Sequence, residues 1–305
     1  MKNSLHPDLK LLLDFFLAQR QNLPTEYTYA EGVIPSPSFF TVKSLQQHLN
    51  NPLLSPAWVH LVSQGKSVPL EDSCFYKLVQ HNQLRFMNKD LLNNELKNGA
   101  AVVLEGVDIL DASINGFVSK IEEALPCSLS NCVAFFSQRQ NEAYEAHCDS
   151  DDVLVIQLSG KKRWHLYAPQ QRRYADTTHL TADRLGPVTS ELIMQPGDAL
   201  FVRAGVPHKC DTVDSHSLHL AFDLIDSTPS VEQITQEANK LYDYACEEPF
   251  SPATKVMDRY IRILQSEEFQ TSLKNATQGV KHDANQFRHC IGKSSSINAL
   301  TKYID

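Results

Sequence analysis

Glu145-Ala146-His147-Cys148-Asp149, then Val153-Leu154-Val155-Ile156-Gln157-Leu158-Ser159-Gly160-Lys161-Lys162-Arg163-Trp164, is the stretch that decides how this chain folds. Val153 to Leu158 reads as a strand, Ser159-Gly160 as the turn that ends it, and Lys162 to Tyr167 as the strand that follows. Side chains two apart on an extended segment share a face. His147 and Asp149 therefore point together, and Cys148 points away.

Working outward, Cys132 to Ser137, Glu191 to Met194, Ala199 to Arg203 and Ser217 to Leu224 have the same short apolar character, separated by turns such as Pro196-Gly197-Asp198. Many short strands at this spacing predict a mainly β core, a sandwich or barrel, and argue against a parallel α/β sheet. One helix intervenes, carrying Ile114, Phe117, Val118, Ile121 and Leu125 on one side. The pattern changes at Ala100 and again near Ser230. We therefore expect residues 1–96 to be a mainly helical region packed on the barrel, 97–226 the β domain, and 227–305 a C-terminal helical region. In the first region Leu9, Leu12, Leu13, Phe16 and Leu17 follow the spacing of one buried helix face. In the last, Ser230 and Gln233 offer a capping box for a helix bearing Ile234, Ala238, Leu241, Tyr242 and Ala245.

A third candidate ligand stands in Gly205-Val206-Pro207-His208, just after the strand Ala199 to Arg203. Two histidines and one carboxylate on one face leave the opposite coordination positions open, as iron(II) needs if it is to take a chelating co-substrate and dioxygen together. A different metal reading adds Cys148 and Cys210 to the two histidines as a zinc site, although an extended segment turns Cys148 to the wrong face.

Composition limits the function. The formal charge of −8, from 28 basic and 36 acidic residues, lacks the basic excess that direct nucleic-acid binding needs. The runs Lys161-Lys162-Arg163 and Arg172-Arg173 read as solvated turns. No run approaches the length of a membrane span, and Leu11 to Ala18 lacks the features of a signal peptide. Seven cysteines without a CxxC pair fit a reducing, cytoplasmic setting.

Together with His216-Ser217-Leu218-His219-Leu220, the segments quoted above resemble the JmjC/cupin family of protein hydroxylases, most closely its ribosomal-oxygenase branch. The likeness spans about residues 97–225. It implies a double-stranded β-helix (jelly-roll/cupin) and an iron(II)- and 2-oxoglutarate-dependent dioxygenase that hydroxylates a C–H bond, with O2 as oxidant. By resemblance, His147, Asp149 and His208 bind the metal and Lys162 binds the distal carboxylate of 2-oxoglutarate. A buried cation there would offset desolvation of that carboxylate; Arg203 is the other basic candidate. Asn131, Ser137, Ser217 and His219 are candidate co-substrate contacts. The likeness also implies a protein substrate, such as a ribosomal protein, and a homodimer built through the C-terminal helices. Residues 227–305 leave little room for the winged helix that follows in that branch. Two alternatives remain open: a small-molecule hydroxylase of the same mechanism, or a non-catalytic cupin-like binding scaffold.

Overall fold

In the computed structural model, residues 5–63, 66–125, 128–138, 145–169, 178–226, 231–242 and 253–273 are described. In chain order the elements are α1 (Pro7–Gln21), β1 (Tyr27–Ala30), α2 (Val42–Leu49), β2 (Val59–Ser63), β3 (Lys66–Val68), β4 (Phe75–Val79), β5 (Asn82–Phe86), α3 (Lys89–Lys97), β6 (Ala101–Leu104), α4 (Val107–Leu110) and α5 (Ala112–Ala124). There follow β7 (Ser128–Gln138), β8 (His147–Cys148), β9 (Asp152–Tyr167), β10 (Thr178–His179), β11 (Val188–Met194), β12 (Ala199–Val202), β13 (His208–Asp226), α6 (Val231–Leu241) and α7 (Ala253–Leu264). The main sheet runs β1-β12-β9-β13-β7-β6-β2-β3, with β11 also on β9, and β8 between β13 and β10.

Two long bent strands organise this sheet into the double-stranded β-helix. The first half of β9 pairs with β12 and with the end of β13, from His219 to Leu224. Its second half pairs with β11 and with the start of β13, from His208 to Thr212. The corner between the halves is Gly160, at φ +64, where an added Cβ would lie 1.8 Å from the His216 carbonyl oxygen. Only glycine fits both the left-handed backbone and the close approach. Gln157 braces the corner, its Nε2 donating to Ser159 O (2.8 Å) and to Ser217 Oγ (2.9 Å).

The apolar alternation of β9 supplies two cores. Val153 and Val155 face the barrel interior with Trp164, Leu200, Val202 and Ala221. Phe222, the neighbour of Ala221 on β13, turns the other way and meets Phe117 of α5 edge-on at 4.8 Å. α5 buries Ile114, Phe117, Val118 and Ile121, and α1 buries Leu9, Leu12 and Phe16. Each such side chain contributes roughly 1.5–3 kcal/mol of transfer free energy. Arg20 and Arg203 converge on Asp152, at 3.2 and 3.0 Å, and so tie α1 to the start of β9.

Residues 1–96 hold three helices, as the sequence spacing suggests, together with five short strands that it does not indicate. β1 extends one edge of the sheet by pairing with β12, and β2 extends the other by pairing with β6. The hairpin β4–β5 has no buried residue, so it lacks the period-two signal by which a half-buried strand declares itself. β1 and β2 take their structure from distant partners, and a local reading of prolines and helix spacing misses them.

The chain divides into two compact units, Met1–Ala124 with Ser130–Ile225, and Leu125–Leu129 with Asp226–Asp305. The N-terminal region and the barrel thus share one unit. In the other, α6 and α7 bring Tyr242 and Tyr260 to 6.2 Å and bury Ala238 and Phe269. The Ser230–Gln233 capping box and the Arg172-Arg173 run lie outside the described residues or side chains.

Candidate metal centre and co-substrate cavity

His147 lies on the two-residue strand β8, which pairs on both sides, so that His147 stands opposite His179 of β10 and His208 of β13. The cross-strand pairing brings the His147 and His208 rings to 4.4 Å. Asp149 follows directly, and its backbone carbonyl accepts from Gly205 N (2.9 Å), clipping the loop before His208 to the ligand segment. One ligand atom from each of His147, Asp149 and His208 lies within 4.8 Å of the others. The Asp149 carboxylate is 3.8 Å from His147 Nε2 and 3.6 Å from His208 Nε2.

The tautomers follow from backbone contacts. His147 Nδ1 is 2.9 Å from Glu145 O, and His208 Nδ1 is 3.1 Å from Val206 O. A carbonyl can only accept, so each Nδ1 donates and each Nε2 keeps its lone pair for a metal. Burial, and then the neighbouring His208, push the His147 imidazole down to about 4. It is therefore neutral near pH 7, the form that binds metals.

These ligands open onto a cavity of about 300 Å³. Lys162 reaches it from β9 and is 1% exposed. Its ammonium donates to Ser137 Oγ (2.8 Å) and Thr212 Oγ1 (3.5 Å), and no carboxylate lies within ion-pair distance among the described residues. Burial lowers its pKa, with Cys210 and Asp211 opposing. His219 stacks on Phe135 at 4.8 Å, and burial followed by the Lys162 charge holds it well below the ordinary imidazole range. Two buried nitrogens on cavity-lining residues, Trp164 Nε1 and His219 Nδ1, have no hydrogen-bond partner among the described residues.

The other expected contacts divide. His219 lines the cavity, and Ser137 stands behind it as the acceptor of the Lys162 ammonium. Asn131 is exposed and does not line the cavity; on its strand the cavity is lined instead by Val133 and Phe135. Ser217 is fully buried but accepts from Gln157 at the Gly160 corner, so its role is to hold the turn. Arg203 is committed to Asp152 and to Pro24 O (3.0 Å). Cys148 is buried on the far face, 3.7 Å from Thr178 O, and the clustered metal-ligating side chains among the described residues exclude both cysteines of the zinc reading.

Sequence reading missed Thr212, Phe135, His179 and the carboxylates Glu105, Asp151 and Asp223, all at or beside the cavity. The alternation of β13 carries a usable signal. Thr212 is four residues after His208, and Asp223 four after His219, so each shares a face with a residue already singled out. Asp223 is pushed up to about 7 by burial first and then by Asp149, Glu105, Asp151 and Asp108.

Two imidazoles and a carboxylate in the cavity of a double-stranded β-helix define a class, the cupin-like proteins with a candidate mononuclear metal centre. Within it, residues 113–232 match the family model of the JmjC domain. The chain is 30% identical over 106 residues to ribosomal oxygenase 2 of Rattus norvegicus, covering 33% of this chain and 23% of that protein. It is 31% identical over 103 residues to the bifunctional lysine-specific demethylase and histidyl-hydroxylase NO66 of Drosophila persimilis, covering 33% and 15%. The chain thus spans less than a quarter of the length of these curated relatives. Its fold is shared with the ribosomal oxygenase YcfD from Escherichia coli, solved with cobalt and 2-oxoglutarate, at a TM-score of 0.53 and 11% identity, covering 84% of this chain and 69% of that one.

Proposed function

We propose that this chain is an iron(II)- and 2-oxoglutarate-dependent oxygenase that hydroxylates a C–H bond of a protein side chain, with a ribosomal protein as the substrate to test first. The observation that carries the reading is Lys162: a buried ammonium held by two hydroxyls, lining the same cavity as three clustered metal-ligating side chains. An isolated buried charge costs several kcal/mol unless paired. The missing partner is an anion, and 2-oxoglutarate offers one carboxylate for Lys162 and a second, with the keto oxygen, for the metal.

The donor set fits iron(II), two neutral imidazoles and one carboxylate leaving other positions open. His147 Nε2, His208 Nε2 and the Asp149 carboxylate would hold it. When bound, iron(II) supplies the coupling of dioxygen to oxidative decarboxylation, so that one oxygen atom ends in succinate, with loss of carbon dioxide, and the other in the C–H bond. Ser137 and Thr212 orient the Lys162 ammonium toward the distal carboxylate. Neutral His219, fixed against Phe135, adds no second charge beside Lys162. Val133, Val153, Val155 and Trp164 give the cavity an apolar lining, where an ion pair is stronger than in water. The names of the relatives, ribosomal oxygenases and a histidyl-hydroxylase, support a protein side chain as substrate.

The test is mass spectrometry of proteins from a deletion strain and from wild type. A side chain carrying the mass of one added oxygen atom in wild type alone, restored by the intact gene and not by an Asp149→Ala copy, is the expected result. Identical proteomes would overturn the protein-substrate reading.

A further inference from the structure

The loop of residues 203–207, between the end of β12 and the start of β13, carries the chain to His208, and a carboxylate outside the metal-ligating cluster fixes its path. Asp152 opens β9, three residues after Asp149. Its side chain is largely buried and does not line the cavity. Asp152 Oδ1 accepts from Ala204 N (2.8 Å) and Arg203 Nε (3.0 Å), and Oδ2 accepts from Arg20 Nη1 of α1 (3.2 Å). The Arg203 carbonyl accepts from Val206 N (3.2 Å), and the Val206 carbonyl from His208 Nδ1 (3.1 Å). Between these two, Gly205 N donates to the Asp149 carbonyl. A hydrogen-bonded path thus runs from the Asp152 carboxylate to the imidazole of one ligand, with a branch to the backbone of another. Loop N–H groups have no ladder partner, so a side-chain acceptor such as Asp152 is what pins one in place. The two guanidinium groups offset the cost of burying that acceptor as a charge.

Resting on the reading of His147, Asp149 and His208 as a metal site, we infer that Asp152 is a positioning residue, which sets the placement of His208 against Asp149 through Ala204 and Arg203 and thereby the affinity of the site. A ligand on an untied loop must be ordered when the metal binds, and that ordering is subtracted from the binding free energy. With Asp152 in place the loop is ordered beforehand. Groups that orient metal ligands without touching the metal are typically worth about 10- to 100-fold in affinity.

The experiment measures cobalt(II) binding to the full-length protein by calorimetry, together with the visible absorption of the bound ion, whose bands respond to the geometry of its donors. Asp152→Ala is expected to weaken cobalt(II) binding about 10- to 100-fold and to shift those bands. Asp152→Asn removes the same charge but keeps an oxygen that can accept from Ala204 N, so it is expected to bind within about threefold of wild type. The difference between the two variants separates placement of the loop from loss of charge. Phe117→Leu, in the apolar contact with Phe222, controls for lost stability: a lower thermal midpoint with affinity and bands unchanged. Should Asp152→Ala fail to fold, hydrogen exchange in wild type carries the test. If binding requires the ordered loop, linkage makes cobalt(II) slow the exchange of the peptide spanning residues 203–207. Affinity and bands unaltered in Asp152→Ala, equal losses in Asp152→Ala and Asp152→Asn, or loop exchange indifferent to metal would each overturn the inference. Absence of cobalt(II) binding by wild type, or binding undiminished in His208→Ala, would instead overturn the metal reading on which it rests.

Discussion

The deep and outer ends of the cavity share one strand, β13, yet their charges are opposite. At the deep end His208, Cys210 and Thr212 alternate inward, and Lys162 comes across from β9 with hydroxyls as its partners. At the outer end the same strand contributes Asp223, beside Glu105 and Asp151. Neither Lys162 nor Asp223 has an ion-pair partner among the described residues, so the two ends differ in the charge each would attract.

The largest expected effect comes from removing the ligands that both ends depend on. His147→Ala, Asp149→Ala or His208→Ala is expected to abolish 2-oxoglutarate turnover and reduce metal binding, measured by metal content after dialysis, with the β-sheet circular dichroism retained. Cys148→Ser, on the far face, is expected to keep its metal. Loss of metal in the cysteine variant with retention in a histidine variant would restore the zinc reading.

Next comes the deep end alone. Lys162→Met keeps the aliphatic stem and removes the charge, and truncating one partner of a buried charge pair lowers affinity by about 30- to 3,000-fold. Metal binding is expected to survive, because Lys162 is not a ligand. Lys162→Arg is expected to retain part of the affinity, since it keeps charge but not shape. Binding by Lys162→Met within about threefold of wild type would remove the deep end from the account.

The smallest effect concerns the outer end in metal-free protein. Asp223 is raised from 3.8 to about 7, so the folded state holds a proton that the unfolded chain releases near pH 4. Its stabilising contribution is full below about pH 4 and is lost as pH rises through 7. Asp223→Asn is thus expected to melt with wild type at pH 4 and above it at pH 8. Each kcal/mol of relieved strain moves the midpoint by roughly 2–4 °C for a domain of this size. Coincident midpoints at both values would show that neither burial nor the neighbouring carboxylates penalise the Asp223 charge.

Much of the barrel was legible because its strands are long and apolar on alternate faces: Val153 to Leu158 and Lys162 to Tyr167 are the two halves of β9, joined at Gly160. The pairing of His147 with Asp149 in the candidate metal-ligating cluster was legible for the same reason, since period two places the two on one face. The N-terminal strands were not, because β1 and β2 acquire their pairing from β12 and β6, far away in sequence. Asn131 and Ser217 share a limit. Local spacing gives the face on which a polar residue sits, but not how far along the strand the cavity extends or whether a nearer partner, such as Gln157 for Ser217, has already taken it. The outer carboxylates come from three separate strands or loops, so only the folded barrel brings them to one wall.

The most direct test of the central claim, that one cavity holds metal and co-substrate together, is the thermal midpoint of wild-type protein under anaerobic conditions, with and without 2-oxoglutarate, each in the presence and absence of iron(II). Ligands that bind only the native state stabilise it by about 2.7 kcal/mol at a hundredfold excess over Kd. The account predicts that 2-oxoglutarate raises the midpoint when iron(II) is present and has little effect when it is absent. An equal rise without metal, or none with it, would contradict the account.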